Sequence, residues 1–312
     1  MPPPIIRRAL CTPLLFALTL LALVLLPPSL LGGPRTRVAR FVRFAATWGT
    51  LECAAVLACG RLWLRRAPAD RYYGVVRRYV AGLDRAARRD LGLRIEVEGR
   101  WDGARGGPLI VLSRHAGPGD ALLLVHHLLT GYGRRPRVVM KAALQLDPCV
   151  DLAGNRLPNA FVTPGQGTAP VERLATGLGR RDALVIFPEG GNFTPGRRHR
   201  AIRRLTRQNR RREAARAARM THLMPPRPGG VLAALAAAPA ADVVFVAHAG
   251  LQDMITVADI WRRVPLTTPV RVRWWRVSAA DVPRVPADQV DWLYTHWERA
   301  DAWIAALGSE HG

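Results

Sequence analysis

The sequence predicts an α/β fold: a single domain with a central mixed sheet flanked by helices, preceded by an N-terminal helical segment that anchors the chain in a membrane. Short apolar runs recur at intervals long enough to contain helices, which is typical of such a sheet. Residues 9–33 contain no charged side chain, which indicates the anchor. A chain of 312 residues has room for one sizeable domain and an appendage.

The uncharged N-terminal segment is the first predicted element. Its densest part, residues 9–26, spans about 27 Å as a helix, close to the ~30 Å hydrocarbon core of a bilayer. Pro27 and Pro28 are expected to end this helix. A cleaved signal peptide is the alternative, but the stretch is long for one and lacks a small-residue cleavage site. We assign residues 1–34 to a transmembrane anchor.

The region from residue 35 to 92 is predicted to be helical and close to the membrane. A second apolar stretch, residues 44–64, either spans the membrane or lies on it, and Glu52 in its middle favours the second interpretation. Residues 70–91 read as a basic helix. Arginines are more numerous after the anchor than before it, which places the rest of the chain in the cytoplasm: Arg7 and Arg8 precede it, and Arg35, Arg37, Arg40 and Arg43 follow.

Residues 93–260 contain the runs that predict the sheet and form the expected catalytic core. Residues 93–98 alternate between apolar and polar, whereas the later runs are continuously apolar, as in strands buried on both faces. Residues 261–312 are expected to add a strand at 270–274, at the edge of the sheet, and a closing amphipathic helix at 290–307. The continuous runs are Leu109–Ser113, Arg137–Met140, Leu184–Phe187 and Val243–Ala247.

The charge balance is strongly basic, since 46 Lys and Arg residues face 23 Asp and Glu residues. A net charge of +23 favours anionic partners such as a phospholipid surface or nucleic acid. The arginines are densest at 197–220, an insertion that either lies on the membrane or forms a solvated helix. The four cysteines have neither metal-ligand spacing nor the pattern of a disulfide framework.

The first motif with chemical potential is Ser-Arg-His115-Ala-Gly-Pro-Gly-Asp120, directly after a predicted strand. Five helical steps do not align two side chains, but the Gly-Pro-Gly turn allows Asp120 to begin a helix beside the imidazole. A carboxylate there fixes the tautomer of His115 and supports a general base. The spacing alone is a weak signal, because His248 and Asp253 repeat it. Metal ligation by His115 and Asp120 lacks a third ligand at a usual spacing.

A second motif distinguishes His115 from His248. Phe187-Pro188-Glu189-Gly190 follows a predicted strand and places a carboxylate and a flexible backbone where α/β sheets bind ligands. His-x4-Asp followed by Phe-Pro-Glu-Gly resembles the glycerophospholipid acyltransferase superfamily over about residues 93–255. The stretches 187–194 and 224–227 are similar to its lysocardiolipin-acyltransferase branch.

The resemblance implies site residues beyond His115 and Asp120. It implies substrate binding by Glu189 and Gly190, and phosphate binding by Lys141, the only lysine in the chain. Gly191 and Asn192 stand where the family usually has Thr-Arg, and Thr163 stands where an Arg is frequent. The expected phosphate contacts therefore come from Lys141, with Arg156 and Arg227 as further candidates. Asn192 is also expected to contact the substrate.

The function expected from this resemblance is transfer of a fatty acyl group from acyl-CoA or acyl carrier protein to the hydroxyl of 1-acyl-sn-glycerol-3-phosphate or a related lysophospholipid. His115 is the expected base, backbone N–H groups near Gly190 bind the oxyanion, and no metal or other cofactor is required. The catalytic domain is expected on the cytoplasmic side of an anionic cell membrane, without nucleic acid. Lysocardiolipin or other lysophospholipid remodelling is one alternative. A non-enzymatic basic protein that binds membrane or nucleic acid through Arg197–Arg219 is another.

Overall fold

The computed structural model describes residues 2–99, 106–117, 119–163, 165–252, 254 and 256–309. The chain forms two compact units, each assembled from separate stretches of sequence. The first, called the N-terminal unit, comprises Met1–Arg94, Leu122–Pro164 and Thr256–Pro269. The second, called the sheet unit, comprises Ile95–Ala121, Gly165–Ile255 and Val270–Gly312. The domain boundaries at residues 34, 92 and 260 stay a prediction.

The N-terminal unit is mainly helical. α1 (Pro4–Ser29) passes through Pro27 and Pro28 and ends one residue beyond them at Ser29, so these two prolines lie in its last turn. α2 (Arg37–Leu64) is capped by the Thr36 hydroxyl, which accepts from the Ala39 N–H. α1 and α2 are each long and apolar enough to cross a membrane, judged by length and composition. α3 (Asp70–Ala86) follows and continues as a π-helical turn, Ala87–Leu91.

Glu52 in α2 is buried within the protein, and its carboxylate accepts from the Cys149 N–H at 3.0 Å. Cys149 lies in α5 (Pro148–Gly154), whose Asp151 binds both Arg7 and Arg8 of α1. A carboxyl group bonded inside a protein does not meet lipid as a lone charge does. Glu52 is therefore not an argument against a spanning α2, and the preference for an interfacial helix loses its main support.

The remaining elements of the N-terminal unit are short. β3 (Arg135–Lys141) pairs in parallel with β4 (Ala160–Val162), which is too short to produce a recognisable sequence pattern. A π-helical turn at His127–Gly131 precedes β3, and a 3₁₀ turn at Ala142–Leu146 follows it. The unit also contains α10 (Val257–Arg263).

The sheet unit contains a mixed sheet in the order β1-β7-β6-β2-β5. β6 and β7 are antiparallel, whereas β1–β7, β2–β6 and β2–β5 are parallel. The predicted α/β class with a mixed sheet is confirmed. The strands are β1 (Ile95–Glu98), β2 (Leu109–Ser113), β5 (Asp182–Ile186), β6 (Asp242–Ala249) and β7 (Val270–Val277).

The prediction that residues 270–274 form an edge strand is wrong, because β7 lies between β1 and β6. Its side chains alternate between buried and half-buried from Val270 to Trp275. Alternation reports that one face of the sheet is less covered than the other, and it carries no information about hydrogen-bonding neighbours. β1, whose sequence also alternates between apolar and polar residues, occupies the end of this order.

The helices of the sheet unit cover the strands and hold the loops that follow them. Tyr294 and Trp297 of the closing helix are buried, and the Trp297 indole donates to the Met224 carbonyl at 3.1 Å. This contact holds the segment that leads to Arg227. The helices are α6 (Ala169–Ala175), α7 (Pro195–Arg207), α8 (Arg211–Arg219), α9 (Pro228–Ala237) and α11 (Pro286–Ser309), and α4 (Asp120–His126) begins in this unit.

Candidate active site

His115 follows β2 with its backbone held at both polar atoms. Its N–H donates to Glu189 Oε1 at 3.0 Å, and its carbonyl accepts from the Phe193 N–H at 3.1 Å. One residue earlier, the Arg114 N–H donates to the Val246 carbonyl of β6. These bonds continue the order of the sheet beyond the strand end, so the imidazole projects from a fixed backbone.

The His115 imidazole is paired with Asp120, as the spacing of the motif predicted. His115 Nδ1 lies 2.9 Å from Asp120 Oδ2 and 3.1 Å from Oδ1. Asp120 Oδ2 also accepts from the N–H groups of Ala116 at 2.7 Å and Gly117 at 3.1 Å. A side chain is excluded at Gly117, since a Cβ there would lie 2.9 Å from the Leu251 carbonyl oxygen.

The electrostatics of the pair suit proton transfer. Burial raises the pKa of Asp120, but the hydrogen bond from His115, the neighbouring His248 and the backbone N–H groups together hold it below its usual value. An ionised carboxylate at Nδ1 keeps the proton on that nitrogen and leaves Nε2 as the basic atom. The His115 side chain is 21% exposed and packs against the Phe187 ring, so a substrate can reach it. Within the described residues, no group of three or more His, Cys, Asp or Glu side chains could hold a metal ion.

Glu189 differs from its expected place in the site. Its carboxylate has no exposed surface, and it accepts from the N–H groups of His115 at 3.0 Å and Met224 at 3.2 Å. Burial raises the pKa of Glu189 to about 7, although those hydrogen bonds and the Arg114 charge act against the rise. The predicted contact with substrate is not supported, because both carboxylate oxygens face the protein. The geometry instead indicates a group that joins two segments of backbone.

The turn at residues 187–190 brings Arg227 close to this centre. Gly190 has φ of +68°, and its N–H donates to the Phe187 carbonyl. The guanidinium of Arg227 covers the open side of Gly190, where a Cβ would lie 2.9 Å from the guanidinium carbon. The Arg227 N–H donates to the Pro188 carbonyl at 2.8 Å. Since the Gly190 N–H is already bonded, it is not free for the oxyanion contact expected near this residue.

Gly191 and Asn192 continue this turn. Within the described part of the chain, the N–H of Gly191 has no acceptor. The Asn192 carbonyl accepts from the Arg197 guanidinium at 3.1 Å, and this bond joins the turn to the start of α7.

Two residues behind the pair were not anticipated as parts of the site. Arg114 is buried, and its guanidinium donates to the carbonyl oxygens of His248 and His222. His248 Nε2 lies 3.1 Å from the Arg114 carbonyl oxygen and 3.8 Å from Asp120 Oδ2. The only sequence signal for Arg114 was a cation directly before His115 at the end of an apolar strand. Asp253, the partner of His248 in the second His-x4-Asp motif, lies outside the described residues.

Lys141 and Arg156 belong to the N-terminal unit. Lys141 is the exposed last residue of β3. Arg156 is exposed and lines a cavity of about 200 Å³ with Arg8, Trp63 and Tyr72. The contacts that connect His115, Asp120, Glu189, Gly190 and Arg227 all lie within the sheet unit.

The chain is similar to known proteins at the level of the family and of the fold. The family model described as Acyltransferase matches residues 94–249, half of the chain. Among solved structures, the chain is similar to the 1-acyl-sn-glycerophosphate acyltransferase PlsC from Thermotoga maritima. That likeness has a TM-score of 0.56 and 14% identity, and covers 88% of this chain and 98% of the other, so it bears on the fold. No curated protein sequence gives a significant match to the chain.

Proposed function

Because the chain belongs to the acyltransferase family, we propose that it transfers a fatty acyl group from acyl-CoA or acyl carrier protein to the free hydroxyl of 1-acyl-sn-glycerol-3-phosphate or a related lysophospholipid. The observation that carries this proposal is the His115 imidazole, reachable from solvent and bound through Nδ1 to the buried carboxylate of Asp120. The structurally similar PlsC acts on an acceptor of this class, which supports the choice of acceptor.

In the proposed mechanism, Nε2 of His115 removes the proton from the acceptor hydroxyl. The hydroxyl oxygen attacks the thioester carbonyl, and the carbon–sulfur bond breaks as the tetrahedral intermediate collapses. The leaving thiolate recovers the proton from the imidazolium, so atoms and charge balance without a covalent enzyme intermediate. Asp120 holds the tautomer and stabilises the imidazolium, as the carboxylate of a catalytic triad does.

The oxyanion of the tetrahedral intermediate requires hydrogen-bond donors. We assign this role to the N–H of Gly191, because the N–H of the neighbouring Gly190 already donates to the Phe187 carbonyl. The turn is kept in place by the Glu189 carboxylate and by the bond from the Arg227 N–H to the Pro188 carbonyl. A donor on a turn fixed in this way needs no rearrangement during the reaction.

Lys141, Arg156 and Arg227 are separate candidates for contact with the acceptor phosphate. Replacing Lys141 with methionine keeps the aliphatic stem and removes the charge. Loss of a charge-assisted contact is worth about 1.5–3 kcal/mol, so kcat/KM for the acceptor is expected to fall roughly ten- to a hundredfold. Saturation curves for both substrates measure this effect. An unchanged acceptor curve would show that Lys141 does not bind the acceptor. A shift in the thioester curve alone would show that Lys141 binds the donor instead.

The proposed location is the cytoplasmic side of a cell membrane, with α1 as the anchor and the basic surface facing anionic phospholipid. The apolar composition and length of α1 and α2 support a membrane location, and the arginines after α1 support the orientation. We also propose that residues 93–260 form the catalytic core, with 261–312 completing its sheet.

The activity is tested by incubating the detergent-solubilised full chain with labelled acyl-CoA or acyl carrier protein and a panel of lysophospholipids. Transfer to 1-acyl-sn-glycerol-3-phosphate supports the first assignment. Transfer restricted to lysocardiolipin or other phosphodiesters would select the remodelling alternative. No product with any acceptor and either donor would reject the proposed function.

A non-enzymatic basic protein is the alternative from another class. Membrane fractionation separates the two, since an anchored enzyme requires detergent for release. A protein bound by charge alone is released by high salt, because salt screens its contacts with phosphate groups.

A further inference from the structure

The two arginine-rich helices of the sheet unit use their charges differently. In α8, arginines contact acidic side chains of α11: Arg212 binds Asp291 at 2.9 Å, Arg216 binds Glu298 at 2.7 Å, and Arg219 binds Glu298 at 3.3 Å. In α7, Arg204 and its neighbour Arg203 are exposed and have no acceptor among the residues that the structure describes. Three arginines of α8 are therefore paired with carboxylates of α11, whereas Arg204 has no such partner and its charge is available to a ligand.

Arg204 opens onto a cavity of about 370 Å³. Arg227 lines the same cavity, and burial together with the charge of Arg204 lowers the pKa of Arg227. The guanidinium of Arg227 also has no hydrogen-bond acceptor among the described residues. A third arginine of the lining, Arg210, is neutralised by Glu213. The rest of the lining includes Leu205, Gln208, Pro225 and Pro226.

The cavity is connected to His115 through a short series of contacts. Glu189 accepts from the N–H of His115 and from that of Met224, where the Pro225-Pro226-Arg227 segment starts. The N–H of Arg227 then donates to the carbonyl of Pro188, next to Glu189. The backbone that carries Arg227 is therefore joined to the backbone that positions the proposed base.

Two neighbouring guanidinium groups without counter-charge match a group that carries two negative charges. A phosphate monoester carries about −1.5 to −2 near pH 7, because its second pKa is close to 6. A phosphodiester carries a single charge and leaves one of the two cations uncompensated. Guanidinium groups also bind phosphate oxygens with matched geometry, and the Gln208 amide adds a further donor to the lining.

We propose that Arg204, Gln208 and Arg227 form a phosphate-monoester site, and that Arg204 selects lysophospholipid acceptors with a terminal phosphate over those with a phosphodiester. This rests on the proposed acyl transfer and extends it to the choice of acceptor. Arg204 comes from the arginine-rich insertion at 197–220, so the insertion contributes a specificity residue.

The kinetic test compares Arg204→Gln with Arg203→Gln, a matched change of an exposed arginine on the same helix. Acceptors are 1-acyl-sn-glycerol-3-phosphate, a monoester, and 1-acyl-glycerophosphoglycerol, a diester. For Arg204→Gln we expect a roughly ten- to a hundredfold loss of kcat/KM on the monoester, little change on the diester and an unchanged acyl-CoA KM. Arg203→Gln should match the wild type. Equal losses on both acceptors, equal losses in both variants, or a shift in the donor KM alone would overturn the proposal.

A binding measurement separates this site from the proposed reaction. Isothermal titration of the detergent-solubilised full chain uses sn-glycerol 3-phosphate, inorganic phosphate and glycerophosphoglycerol as probes. We expect sn-glycerol 3-phosphate to bind the wild type and Arg203→Gln most tightly and to lose affinity for Arg204→Gln. If this binding pattern is found but the wild type acylates no lysophospholipid, the proposed reaction is wrong and the proposed phosphate site is supported. If acylation occurs but Arg204→Gln binds as the wild type does, or inorganic phosphate binds at least as tightly, the acceptor site is wrong.

Discussion

His115 and His248 precede an aspartate by the same five positions, and their surroundings differ in every respect that matters for proton transfer. His115 is partly exposed and bonds through Nδ1 to the Asp120 carboxylate. His248 is buried within β6 and has its Nε2 against the carbonyl of Arg114. Burial, with the charge of Arg114, lowers the pKa of His248 to about 4. Both rings lie near Asp120, but the His115 ring is partly exposed to solvent and the His248 ring is buried.

The difference teaches that a histidine near an aspartate acts as a base only if its other nitrogen remains accessible. His115 bonds to the carboxylate through Nδ1, and its Nε2 has no hydrogen-bond partner among the described residues. The ring of His248 is neutral near pH 7 and bonds to a backbone oxygen, so it fills space behind the pair. The same spacing therefore yields a candidate catalytic group after the end of β2 and a packing group within β6.

The largest expected effect comes from removing the two rings separately. His115→Ala is expected to lower kcat by about 10²–10⁴, the usual cost of losing a general base. His248→Gln retains an N–H donor for the Arg114 carbonyl and is expected to keep most of the activity. Acyl transfer by each purified variant, with circular dichroism as the folding control, measures the contrast. Equal losses in two folded variants would contradict the distinction between the histidines.

The second prediction concerns the Asp120 carboxylate, to which the His115 ring is hydrogen-bonded and the His248 ring is not. In Asp120→Asn, the amide oxygen is expected to keep the N–H groups of Ala116 and Gly117, which turns the amide N–H₂ toward His115 Nδ1. The imidazole then carries its proton on Nε2 and is a poor base, so kcat is expected to fall about a hundredfold or more. The pH–rate profile and kcat measure this change. Wild-type turnover would reduce Asp120 to a helix-start residue.

A smaller effect is expected from Glu189, which holds the backbone of His115 and does not touch the ring. Glu189→Gln replaces one accepting oxygen with an amide N–H₂ group, so either His115 or Met224 loses its acceptor. We expect kcat to fall about tenfold, with KM for the thioester little changed, since a misplaced base slows the chemical step. Glu189→Ala serves as the comparison and is expected to lose stability as well. A raised KM with an unchanged kcat would instead place Glu189 in substrate binding.

The last prediction is on the pH dependence of stability and concerns His248. Its pKa in the fold is about 4 against an ordinary value of 6.5, so between these values the unfolded chain binds a proton that the folded chain does not. The free energy of unfolding is therefore expected to fall as pH is lowered through this window, by a few kcal/mol. Thermal unfolding of His248→Gln and wild type is compared in the same detergent. Because Glu189 titrates in both proteins, the difference between their curves reports the contribution of His248. Parallel curves for the two proteins would show that His248 does not titrate in this way.

Several features could be predicted from the sequence because they depend on neighbouring residues. The strand at 109–113 was identified from its continuous apolar run, and the helix within 4–29 from its lack of charge. The contact of His115 with Asp120 was also predictable, since a glycine-rich turn joins residues only five apart. The order of His-x4-Asp and Phe-Pro-Glu-Gly pointed to the family that the family model then matched.

What only the tertiary structure decided are the partners of residues far apart in sequence. Glu189 bonds to an amide 74 positions away, and His248 bonds to a carbonyl 134 positions away, so neither role leaves a periodic signal. β7 lies inside the sheet because of its hydrogen-bonding neighbours, which side-chain alternation does not report. α7 and α8 are both rich in arginine, but three arginines of α8 are paired because carboxylates of α11 lie opposite them. Local patterns determine which elements form, whereas burial and long-range hydrogen bonds determine which of their side chains are left free for chemistry.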